Sequence, residues 1–210
     1  MSKLLNDQLR EAAAAGNENE VDRLLDRGAD IHANDDYALH SAAVFGHTAT
    51  VELLLNRGAD IRAYSDNALR RASANDHTAT VELLLNRGAD IHADDDQALR
   101  WAAARGHTAT LELLLNRGAD IHAKDDDALH SAAENGHTAI VTLLLKRGNH
   151  THEAIAAAKV RATAGDQSEI VALIDSYRAM LELSKPHSSS SPKHAALPST
   201  PTPIGRGSRL

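Results

Sequence analysis

Histidine and aspartate are the residues of this chain best suited to chemistry: there are 13 His and two carboxylate runs, Asp94-Asp95-Asp96 and Asp125-Asp126-Asp127. His with carboxylate could build a zinc site, and clustered carboxylates could form a calcium loop or an acid–base pair. The spacing argues otherwise. His47, His77, His107 and His137 recur every 30 residues, and His32, His92 and His122 fall at multiples of the same interval. Equivalent rings should therefore stand a whole structural unit apart, beyond the reach of one zinc ion. His150-Thr151-His152 is the only close pair, and no metal is expected there. The Asp runs lack the Gly and terminal Glu of a calcium loop and read as helix caps with solvated loops. Without cysteine there is no thiolate chemistry, and no phosphate loop or nucleophile elbow occurs. No catalytic residue, metal or cofactor is expected, so the chain reads as a non-enzyme.

The same interval governs the elements that must carry these residues. The segment His47 to Ile61, HTATVELLLNRGADI, returns unchanged from His77, and from His107 with only Leu111 in place of Val. A looser copy starts at His137, and Leu9, Ala12, Ala13, Gly16, Val21, Leu24, Leu25 and Gly28 keep the register near the start. Each unit reads as two helices. Asp36, Asp66, Asp96 and Asp126 are the expected N-caps of the first, whose Ala-Ala pairs permit close helix approach. A turn follows at Gly46, Gly106 and Gly136, with Asp76 in the equivalent place of one unit. Thr48 and its equivalents open the second helix, whose Val51, Leu54 and Leu55 form an apolar stripe. Gly58, Gly88 and Gly118 end it, and the following Ala-Asp-Ile stretch is predicted to leave the helical layer as an extended finger. One unit cannot bury its own apolar face, so stability must come from stacking. The expectation is an all-α helical repeat solenoid.

These units resemble ankyrin repeats. The matching residues are Ala-Leu-His at 38–40 and 128–130, the Ala-Ala pairs, Gly-His at 46–47, 106–107 and 136–137, the Val-x-x-Leu-Leu helix and Gly-Ala-Asp-Ile. The likeness covers roughly residues 5–183 and differs in its length of 30 where about 33 is usual, with no proline before Pro186. On this reading residues 1–184 form a repeat domain: a capping unit over 1–26, internal repeats over 27–146 and a second capping unit over 147–184. The resemblance implies a non-catalytic adaptor or scaffold that binds a protein on its concave face; an effector or inhibitor occluding a partner's site is the alternative.

Composition bounds the partner. The segment up to residue 184 carries 18 basic and 29 acidic residues, a net −11, whereas residues 185–210 carry four basic residues and no acid. An acidic body disfavours nucleic acid, and no apolar run is long enough for a leader or a membrane span. A cytoplasmic monomer is expected. Because the framework is nearly copied, positions that differ between units are the informative ones. Tyr64, Arg70, Arg71, Arg100, Trp101 and Arg105 gather in neighbouring rows and are of the types enriched at binding hot spots. They form the expected partner contact.

Residues 185–210 hold all five prolines and read as a disordered Ser/Pro-rich tail. Its end, Ser208-Arg209-Leu210, resembles a peroxisomal address, which would imply an import receptor, and equally a C-terminal PDZ ligand. Ser191-Pro192, Thr200-Pro201 and Thr202-Pro203 resemble proline-directed phosphorylation sites.

Overall fold

The computed structural model describes residues 2–184. They form twelve helices in chain order. The first of each pair are α1 (Ser2–Ala14), α3 (Ala33–Val44), α5 (Ala63–Ala74), α7 (Ala93–Arg105), α9 (Ala123–Glu134) and α11 (His152–Ala164). The second are α2 (Glu18–Asp26), α4 (Thr48–Asn56), α6 (Thr78–Asn86), α8 (Thr108–Asn116), α10 (Thr138–Arg147) and α12 (Ser168–Ser184). No strand occurs among the described residues, and none of these helices is long and apolar enough to cross a membrane.

The core is a ribbon running the length of the stack. Ala42, Ala43, Ala72, Ala102, Ala103, Ala132 and Ala133 line the first-helix layer and are completely or almost completely buried. Val51, Leu54, Val81, Leu84, Leu111 and Leu114 do the same in the second layer. Leu55, expected in this stripe, is only partly buried and packs at its margin. Small Ala pairs let the first helices pack closely on one another, while the second helices touch their neighbours more sparingly. The stack therefore curves with its first helices on the inner side.

Hydrogen bonds join each unit to the next. The last carbonyls of a first helix have no intrahelical donor, and the succeeding unit supplies one. His47 Nε2 donates to Ala14 O (2.9 Å), His77 Nε2 to Val44 O (2.8 Å), and His107 and His137 to Ala74 and Ala104 O (3.0 Å each). The recurring histidines are thus inter-unit ties. A side chain on Gly106, which has φ +83, would lie 2.8 Å from the His137 ring, so this turn needs glycine twice over. Asp76 adopts φ 60 in the equivalent place and receives the Thr110 hydroxyl at 2.8 Å.

Two sequence expectations are corrected. The segment after α2, α4, α6 and α8 is not an extended finger: a turn at residues such as Ile61 and Arg62 leads into three consecutive left-handed residues, Tyr64, Ser65 and Asp66 in one unit and Asp94, Asp95 and Asp96 in the next. With 30 residues per unit there is too little chain for a hairpin, and a left-handed turn reverses direction in the least length. Nor do the four aspartates cap their own helices. Asp36, Asp66 and Asp96 are buried, and their Oδ1 atoms accept the backbone N–H of Asp60, Asp90 and Asp120 in the following unit at 2.7–2.8 Å. Ordinary side-chain caps do occur at Asn17 and Thr151.

Candidate partner-binding face

Non-glycine residues in left-handed conformation are unfavourable by roughly 1–2 kcal/mol each, so these turns need support from their surroundings. Arg70 supplies it in one unit. Its Nη2 donates to Tyr64 O (2.7 Å), and its Nη1 reaches Asp94 Oδ2 of the next unit (2.6 Å). Arg100 repeats the arrangement, donating to Asp95 O (2.9 Å), Asp94 O (3.0 Å) and Asp127 Oδ2 (3.0 Å). Their side chains are 8% and 11% exposed. Two of the residues expected at the partner contact therefore face inward and hold the turns.

The other four lie on the surface. Tyr64 is 67% exposed. The half-buried Trp101, the only tryptophan, has the exposed Arg71 guanidinium 5.4 Å from its ring centroid and that of Arg105 at 6.0 Å. Arg105 is pinned by donating to Ala74 O (2.6 Å). Arg71 makes no ion pair among the described residues. Guanidiniums so placed hold the indole by cation–π attraction and keep their edges open to a carboxylate or carbonyl.

Towards the N-terminus this surface continues into a groove lined by Tyr37, His40, Ser41, Phe45, Asn67 and Arg71. A neighbouring hollow adds Asn34, Asp35 and Tyr64. Tyr37 and Phe45 are exposed aromatics that the hot-spot selection omitted. Their signal was available: each is an aromatic, Tyr37 within α3 and Phe45 just past its end, at a position occupied by polar residues in the other internal units. His40 forms part of the groove floor between the rings of Tyr37 and Tyr64, 6.3 and 6.5 Å away, and its buried Nε2 has no hydrogen-bond partner. Burial holds its pKa below the ordinary histidine value. Burial likewise raises the pKa of Asp66 above the ordinary aspartate range, against the opposing effect of the N–H of Asp90.

The expected tail motifs, including Ser208, Arg209 and Leu210, lie outside the described residues. His150 and His152, two residues apart in sequence, separate in space: His152 Nε2 lies 3.4 Å from Glu182 Oε1, whereas His150 turns into the structure.

A search of curated proteins finds no match. The family model for ankyrin repeats (3 copies) matches residues 9–95 and 92–155, well over half of the chain. With paired helices stacked in register throughout the described residues, the chain belongs to the ankyrin repeat family.

Proposed function

We propose that the protein is a non-catalytic adaptor that holds one protein partner on its inner face. Ankyrin repeats are generally protein–protein interaction modules. The observation that carries this reading is the set of exposed aromatic and cationic groups on a nearly uniform framework. Trp101 stands between Arg71 and Arg105, and Tyr37, Phe45 and Tyr64 continue the surface. Aromatic anchors beside arginine are the composition of binding hot spots, and here they lie where units with an otherwise copied sequence diverge. Arg70 and Arg100 support the contact from beneath by holding its turns.

A partner of this face would present carboxylates or backbone carbonyls to Arg71 and an apolar segment to the groove. The test is an unbiased partner screen followed by quantitative binding with Trp101→Ala and Arg105→Glu combined. Loss of binding in a folded double mutant is expected; undiminished binding would overturn the assignment of the patch.

A further inference from the structure

We propose a divalent transition-metal site of zinc type formed by His122, Asp126 and His150. Candidate ligand atoms of these three residues lie within 4.8 Å of one another. His150 Nδ1 is 2.6 Å and His122 Nδ1 2.7 Å from the same atom, Asp126 Oδ1. The two rings meet edge to face with centroids 5.0 Å apart.

The hydrogen bonding of His150 makes this more than a pair of salt links. Its side chain is 0% exposed, and its Nε2 lies 3.0 Å from Leu144 O. A carbonyl oxygen only accepts, so Nε2 carries a hydrogen. In the neutral ring Nδ1 then presents a lone pair towards a carboxylate oxygen. His150 Nδ1 and Asp126 Oδ1 then meet as two electron-pair donors, and a proton or a metal ion must lie between them; His122 Nδ1 supplies a third ligand atom in the tautomer that carries its hydrogen on Nε2. An imidazole whose far N–H is held by a backbone carbonyl is also the usual orientation of a metal-ligating histidine.

Comparison with the other units shows that the arrangement is a local departure. Asp36, Asp66 and Asp96 each receive a backbone N–H from the following unit, and His32 and His92 add a ring nitrogen to Asp36 and Asp96 at 3.1–3.2 Å. Following the fourth internal unit, the capping unit carries Gly148-Asn149-His150 in place of Gly-Ala-Asp. An imidazole from His150 now faces Asp126 where the others have the N–H. Two histidines and a carboxylate make three zinc ligands, with the fourth position left to water. Tetrahedral metal–ligand bonds of about 2.0–2.2 Å place ligand atoms roughly 3.3–3.6 Å apart, so each ring nitrogen must draw back from Asp126 Oδ1 by roughly 0.6–0.9 Å. The His122 side chain, 43% exposed, has room to move. An open cleft lined by Asp125, Asp126, His130, Thr151 and Glu153 gives an ion a route in.

The test uses the full chain without an affinity tag, titrated with Zn2+ by calorimetry and with Co2+ by visible absorption. One Zn2+ per chain is expected, with Co2+ d–d bands of low-coordinate type. His122→Ala should weaken binding by at least about tenfold and remove the bands. His92→Ala, which breaks the equivalent pair lacking a third group, should leave both unchanged. Because His122 is partly exposed, its variant should keep the fold, which circular dichroism checks. Absence of the bands in the wild type, equal uptake by His122→Ala, or equal losses in the two variants would overturn the site.

Discussion

The Asp66 carboxylate of one unit accepts the backbone N–H of Asp90 in the next at 2.7 Å, and the same contact recurs from Asp36 to Asp60 and from Asp96 to Asp120. A buried side chain here does what a β-ladder or a cap does elsewhere: it satisfies a backbone donor and sets the stacking register.

Asp66→Ala should therefore destabilise the chain by about 1–3 kcal/mol, the cost of a donor left unsatisfied in a buried place. Asp66→Asn retains the acceptor and should be milder. Burial raises the pKa of Asp66 in the folded state above 3.8, so the folded chain holds this proton more tightly than the unfolded one. That contribution is present below the unfolded pKa and lost as pH rises through the folded pKa. Relative to Asp66→Asn, the wild type should lose stability as pH rises above 3.8; an opposite trend in urea midpoints would contradict the assignment.

His40 has the reverse sign. Its folded pKa lies below the ordinary 6.5 because burial opposes the charge, with Arg70 adding to this and the Ala63 backbone, Asp36 and Asp35 partly offsetting it. As pH falls below 6.5 the unfolded chain gains a proton that the folded chain refuses, so stability is lost, by at most about 1.4 kcal/mol per pH unit. His40→Leu removes the effect. The stability difference between the two proteins, measured from pH 7 down to 5, should shift steadily against the wild type.

Leu84 is 0% exposed between neighbouring units. Leu84→Ala should cost about 2–5 kcal/mol and lower the unfolding temperature accordingly. On the outer surface Arg117 joins Glu82 (2.8 Å) and Asn86 (2.8 Å), one rung of a ladder that includes Arg87 with Glu52 and Asn56. These pairs are solvated, and Arg117→Ala should cost less than about 1 kcal/mol, diminishing with salt. Parallel thermal unfolding at low and high salt separates the two behaviours.

Trp101 provides its own reporter. Arg71→Ala removes one guanidinium from the indole, a contact on the order of 0.5–1 kcal/mol, and should leave global stability nearly unchanged. Its fluorescence emission should move to longer wavelength as the ring gains solvent. An unchanged spectrum would mean that Arg71 does not cover the ring in solution.

The helical layers were legible in the residues themselves because local rules write them. Val51, Leu54 and Ala42-Ala43 repeat at a period that only stacked helices satisfy, and Gly106 marks a backbone that few other residues adopt. The clustering of the proposed contact face was legible in part: Arg71, Trp101 and Arg105 stand at positions that differ between units and lie together in space. Tertiary structure alone decided where side chains point. Arg70 and Arg71 are adjacent in the chain, yet one closes a left-handed turn and the other stays open to solvent, since successive helical positions face about 100° apart. Likewise the sequence pairs His150 with His152, whereas folding brings His150 to Asp126, 24 residues away. Periodicity specifies the repeating backbone, but the partner of a side chain depends on which units become neighbours in space.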